Sequence, residues 1–262
     1  MIIDAHCHVW PDQIAERIVG ARPAGMDAVG DGTLSGLLRT MDAAGIAMAC
    51  TLAIANEARH VARTNEFIGR VDRSRFIPCG TVHAGLSVEE NLASLSDNGI
   101  RAVKFHPNFQ GMSLGAQETL ELFSALAEES VVVLSHVGEG SDESASERGA
   151  PHHIASIIAA VSTLRFVAFH FGGFHRLDEA AALDLGGTVW LETSWPPTVS
   201  ALGADRVLGI IENFGANRFV FGSDWPMANP AAEIAFIRSL GLPAADEAAI
   251  LGGTLARVLG IS

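Results

Sequence analysis

Eight strand-like runs alternating with helical segments along 262 residues predict a single-domain parallel (β/α)8 barrel of the TIM type, an α/β fold. Three observations carry this expectation. The alternation is continuous, with no linker to divide it, so one domain covering 1–262 is expected. The length is close to the roughly 250 residues typical of such a barrel. The fifth run, Val131-Val132-Val133-Leu134-Ser135-His136, is apolar on both faces, as a parallel strand covered by helices should be.

Met1–Val9 is the first strand. The long connection Pro11–Thr33 holds a short helix near Gln13–Val19 and is expected to lie over the end of that strand. Leu34, Leu37, Leu38 and Met41 recur at helical spacing until Gly45 stops them. Ile46–Ile54 is the second strand, and Asn56 is placed to cap a helix running to about Val71. Phe76–Ala84 is the third, followed by a helix capped at Ser87 and closed at Asn98-Gly99. Ala102–His106 is the fourth, ended by Pro107, and Gln117–Glu128 is helical. After the fifth strand, the Gly-, Ser- and Glu-rich stretch Gly138–Gly149 reads as a mobile loop or lid. Helix His152–Val161, strand Arg165–His170, helix His175–Leu185, strand Thr188–Ser194, helix Val199–Phe214 and strand Phe219–Ser223 follow. Helices near Pro230–Leu240 and Ala244–Leu259 complete the chain.

The formal net charge of -13 argues against nucleic acid or an anionic membrane as partner, because both require clustered Lys and Arg. The 48% hydrophobic content allows a large core. Three cysteines, Cys7, Cys50 and Cys79, fall inside strand-like runs and read as reduced core residues. No apolar run approaches a membrane span, and the chain opens directly on a strand, so a cytoplasmic protein is expected. The partner expected is a small-molecule substrate; a homodimer is compatible with the sequence.

Barrel enzymes place their chemistry at the carboxyl ends of the strands, and here those ends carry a coherent polar set. The first strand bears His6 and His8 on one face, since alternate strand residues point the same way. The fourth ends in Lys104 and His106, the fifth in His136, the sixth in His170 before Gly172-Gly173. The seventh bears Glu192 and Ser194, and the eighth ends in Ser223-Asp224-Trp225-Pro226. Several buried imidazoles and a carboxylate converging on one rim are explained economically by a divalent cation.

These pieces, Asp4-Ala5-His6-Cys7-His8, Val103-Lys104-Phe105-His106-Pro107, His136, Phe169-His170-Phe171-Gly172-Gly173 and Phe221-Gly222-Ser223-Asp224-Trp225-Pro226, resemble the amidohydrolase superfamily. The resemblance is to its amidohydrolase-related branch, which includes aminocarboxymuconate-semialdehyde decarboxylase. It implies that His6, His8, His136 and Asp224 bind one divalent metal. Three imidazole nitrogens, a carboxylate and a water suit Zn2+ best, with Mn2+ or Fe2+ as alternatives. A two-metal site bridged by a carboxylated Lys104 is the less favoured arrangement. His170 would act as the catalytic base or polarise the substrate, and Asp224 could accept a proton as well as ligate. Lys104, His106 and Trp10 are the expected substrate contacts. Asp4 either orients His6 or is structural. Glu192 reads slightly better as a satisfied barrel carboxylate than as a substrate contact.

The expected activity is metal-dependent hydrolysis of an ester, lactone or amide. Non-oxidative decarboxylation at the same site is the alternative, for which Arg148 and Arg176 are the available arginines near strand ends. A barrel that binds a ligand without catalysis, or without a metal, is the third reading.

Overall fold

A computed structural model describes residues 1–21 and 27–261. Residues 22–26, within the long connection expected to cover the first strand, lie outside the described residues. The fold is the (β/α)8 barrel. Eight parallel strands follow chain order: β1 (Ile3–His8), β2 (Met48–Leu52), β3 (Phe76–Gly80), β4 (Ala102–Phe105), β5 (Val132–Ser135), β6 (Phe166–Ala168), β7 (Val189–Glu192) and β8 (Phe219–Val220). Among the described residues no helix is long and apolar enough to cross a membrane. The chain falls into two compact units, one of Met1–Leu52, Asp72–Ile77 and Glu192–Ser262, the other of Ala53–Val71 and Pro78–Leu191.

In the first unit, β1 pairs with β2, and the register slips between Asp4 and Cys7. Three steps on β1 face two on β2, so β1 carries one extra residue beside His6. A bulge of this kind bends a strand and re-aims its side chains. On its other side β1 meets the chain after β8, through Ala5 N–H to Phe221 O at 2.8 Å and His8 N–H to Trp225 O at 2.7 Å. All six residues of β1 are buried. The cysteines are buried and unlinked, as expected.

In the second unit, β4, β5 and β6 pair in unbroken parallel register. Phe105, Phe123 and Phe166 meet at ring separations of 5.2 and 6.1 Å and fill the space between strands and helices. The Ser87 cap forms as expected: its hydroxyl accepts from Glu90 N–H while the Glu90 carboxylate accepts from Ser87 N–H.

Several boundaries differ from the sequence reading. The sixth and eighth strands end after Ala168 and Val220, short of the expected His170 and Ser223; further along, His170 and Asp224 take left-handed φ values of 59° and 63° that no strand can continue through. Asn56 does not cap its helix; a 3-10 turn, Ala58–His60, intervenes and the α-helix begins at Val61. The stretch Gly138–Gly149 contains a helix, Glu143–Arg148, capped by the Asp142 carboxylate. The helix expected from Val199 is broken at Gly203, whose φ is 81°. The last helix is interrupted by a π-like turn at Ala249–Gly253. There Gly252 lets the chain pass the amino-terminal backbone, for a Cβ would lie 2.5 Å from Met1 O.

Glu233 ties two of the first unit's segments together. Its carboxylate accepts from Thr198 Oγ1 and Val199 N, both at 2.8 Å. Burial raises its pKa above the usual carboxylate range. The folded state therefore keeps a proton that the unfolded chain releases, and the stability this contributes is complete below the ordinary value and lost as pH rises through the folded one. Glu233→Gln keeps the shape, and the Thr198 hydroxyl can turn to accept from the amide. We expect the variant to gain stability relative to the parent as pH rises from about 4, measured by denaturant titrations across a pH series. A constant difference would contradict this.

Candidate metal centre

The bulged β1 brings the two imidazoles of the first unit together: His6 Nε2 and His8 Nε2 lie 3.0 Å apart. The Asp224 carboxylate joins them, with Oδ1 at 3.1 Å from His6 Nε2 and 3.4 Å from His8 Nε2. All three side chains are buried. Ligand atoms held about 2.0 Å from a tetrahedral ion are about 3.3 Å from one another. The three observed separations have that spacing, and the donor set of two imidazoles and a carboxylate suits a divalent cation. The residues fit the group.

Asp224 occupies its place through a strained backbone. Asp4, fully buried below it, holds the preceding residue: Oδ1 accepts from Ser223 N–H at 3.0 Å and Oδ2 from Ser223 Oγ at 2.6 Å. Oδ1 also accepts from His6 N–H at 2.9 Å, so one carboxylate ties β1 to the Asp224 turn. Burial pushes the Asp4 pKa up to about 6, although these hydrogen bonds oppose the rise.

His6 is held from behind. Its Nδ1 lies 3.2 Å from Ser194 Oγ and 3.5 Å from Glu192 Oε2. Ser194 Oγ donates to Glu192 Oε2 at 2.9 Å, and Ser194 N–H to Oε1 at 2.7 Å. Gly222 leaves room for this carboxylate; a Cβ there would lie 2.0 Å from Glu192 Oε1. Trp10 stacks on His8 with ring centroids 6.0 Å apart and an interplanar angle of 16°. Trp225, which follows Asp224, is fully buried against Gly30.

The second unit gathers its own imidazoles. His106 stacks on His136 at 4.5 Å, and His170 meets His136 edge-on at 5.0 Å. His136 Nε2 lies 3.0 Å from Glu139 O. A carbonyl only accepts, so Nε2 donates to it. His170 and Phe171 both have left-handed φ values, which turn His170 out of the strand direction. Phe109 covers His106 at 4.0 Å. The His106 backbone N–H donates to Gln110, whose amide reaches Val82 O at 2.7 Å and fixes the turn after β4. Lys104 is fully buried, with Nζ 3.8 Å above the Phe169 ring centroid.

The Amidohydrolase family model matches residues 3–261. The chain belongs to the amidohydrolase family. Amidohydrolases are metal-dependent enzymes, and the fold is shared by solved structures of low identity. An uncharacterised TIM-barrel protein from Bordetella bronchiseptica is 19% identical with a TM-score of 0.78, over 99% of this chain and 98% of the other. A Pseudomonas putida protein provisionally named a 2-pyrone-4,6-dicarboxylic acid hydrolase is 19% identical, TM-score 0.70, over 100% and 98%. A Polaromonas dihydroxybenzoic acid decarboxylase, solved with manganese and the inhibitor 2-nitroresorcinol, is 13% identical, TM-score 0.74, over 99% and 97%. No curated protein matches the chain.

For this amidohydrolase, the sequence reading named the imidazoles, Asp224 and, as one of two alternatives, Asp4 orienting His6, from whose backbone N–H the Asp4 carboxylate does accept, but not the other residues that hold them. Ser194, Ser223, Gln110 and Phe169 were missed as supports. The shared parity of Glu192 with Ser194 was the one signal for the His6 support, since same-face neighbours two apart can bond each other. Arg176 is engaged locally, by Glu179 at 2.7 Å and Ser146 O at 3.3 Å. His83 Nδ1 accepts from Gly85 N–H in a turn.

Gly222→Ala would drive a methyl into Glu192. We expect a loss of about 1–3 kcal/mol, the usual cost of overpacking a tight core, read from thermal or urea unfolding. A variant as stable as its parent would show that the carboxylate is loosely held.

Proposed function

We propose that this amidohydrolase binds one divalent ion through His6, His8, Asp224 and His136, and hydrolyses an ester, lactone or amide bond of a small molecule. The observation that carries the proposal is the 3.0–3.4 Å convergence of two imidazole nitrogens and a carboxylate oxygen in a buried site. His136 and His170 are added because the fifth-strand histidine and Phe169-His170-Phe171-Gly172-Gly173 are among the pieces that resemble the family. Zn2+ suits the donors best; Mn2+, present in one structural neighbour, suits them as well.

A bound divalent ion supplies Lewis acidity, bringing the pKa of a water molecule down toward about 7. The remaining chemistry belongs to the chain. His170 accepts the proton of the attacking water, and its strained turn keeps the ring off the strand axis. Trp10 and His106 bind the substrate's flat groups, and Lys104 offers positive charge to its oxygen atoms. Phe169 supports a single-ion site: a ring face attracts an ammonium group and repels the negative charge a carboxylated Lys104 would carry. Hydrolysis is favoured over decarboxylation because Arg176, one of two arginines suited to grip a substrate carboxylate, already serves Glu179 and Ser146.

Elemental analysis of purified protein should find one ion per chain, and a panel of lactones, esters and amides should be turned over in preference to carboxylated aromatics. Carbon dioxide release without hydrolysis would reverse the choice of reaction. His6→Ala and Asp224→Ala should each lose the ion and reduce turnover to background. An unchanged rate in metal-free protein would end the proposal. Carbon-13 NMR in labelled bicarbonate should show no lysine carbamate, whereas a carbamate signal that Lys104→Arg abolishes would establish the two-metal arrangement.

A further inference from the structure

We propose that Glu192 is a positioning residue: acting through Ser194, it fixes His6 with its proton on Nδ1 and its lone pair on Nε2. The inference rests on the metal-binding reading for its consequence, but with Glu192 ionised the proton on Nδ1 follows from the hydrogen bonds, and a neutral ring then keeps the lone pair on Nε2. A carboxylate only accepts. Both Glu192 oxygens receive protons from Ser194, one from the backbone N–H at 2.7 Å and one from the hydroxyl at 2.9 Å. The Ser194 hydroxyl has one proton and gives it to Glu192, so toward His6 its oxygen can only accept. His6 Nδ1, 3.2 Å away, must then be the donor. The neutral ring has one N–H, and Nε2 is left with its lone pair facing His8 Nε2 and Asp224 Oδ1.

The relay is built tightly. Glu192 is fully buried, Ser194 likewise, and Gly222 contributes no side chain where the carboxylate lies. A partner fixing the far nitrogen of a ligating histidine raises that ligand's basicity and sets its direction. The chemical sense of the relay is also specific. In Glu192→Gln the amide oxygen keeps the Ser194 N–H, and the amide NH2 faces Ser194 Oγ. The hydroxyl must now accept from the amide and point its own proton at His6 Nδ1. That favours the other tautomer, with the proton on Nε2 where the metal should bind.

The near-isosteric Glu192→Gln is therefore expected to weaken metal binding about ten- to hundredfold, measured by chelator competition with Zn2+, with little change in melting temperature. Ser194→Ala should lose less, since Glu192 Oε2 already lies 3.5 Å from Nδ1 and can take the proton directly. Nitrogen-15 NMR of metal-free protein reads the tautomer without any ion: the parent should show His6 protonated on Nδ1, and Glu192→Gln should shift that population toward Nε2. An unchanged tautomer in Glu192→Gln, or wild-type zinc affinity in that variant, would overturn the proposal. Should Glu192→Gln fail to fold, the tautomer in the parent and in Ser194→Ala decides: His6 protonated on Nε2 in the parent overturns it. A parent that takes up no zinc yet shows the Nδ1 tautomer would sink the metal reading and leave the relay standing.

Discussion

Two imidazole nitrogens and a carboxylate oxygen brought within 3.4 Å of one another in a buried site form an arrangement that needs something positive among them. Imidazole nitrogens and a carboxylate oxygen repel at such range unless a proton or a cation lies among them. Much of the first unit makes sense as the means of imposing that geometry. The bulge in β1 re-aims the strand beside His6. The Asp4 carboxylate ties His6 to the Ser223 turn, and Ser194 and Glu192 brace the imidazole from the other side.

Backbone strain is used where the side chains must leave the strand direction. Asp224 and His170 are non-glycine residues in the left-handed region, each just after a short strand. Such conformations cost of order 1–3 kcal/mol and persist only where surroundings over-determine them. For Asp224 those surroundings are explicit: the double hydrogen bond from Ser223 to Asp4 and the Met227 N–H bond to Asp224 O. In the second unit the Glu139 carbonyl orients His136, and the stacked His106 ring and the edge-on His170 ring limit its motion.

Fold and site were legible to different depths. Eight strands were countable because each is an apolar run bounded by turn residues, and the Ser87 cap was readable because its partner Glu90 sits three residues on. The sixth and eighth strands were drawn too long, to His170 and Ser223, because apolar and polar residue types look the same whether the backbone stays extended or turns away from the ladder. The helix inside Gly138–Gly149 was hidden by composition: Gly, Ser and Glu read as loop, yet Asp142 supplies a cap and Ala145 a buried anchor.

By itself, the sequence determined the order of strands and helices and the residue types that reach the strand ends, because periodicity and parity are local properties of the chain. It placed His6 beside His8 for the same reason. Tertiary structure alone decided that Asp224, more than two hundred residues away, joins them, and that Glu192 speaks to His6 through a serine hydroxyl. Those pairings depend on strand register and on turns held in strained conformations, and such geometry is set by the packing of distant segments.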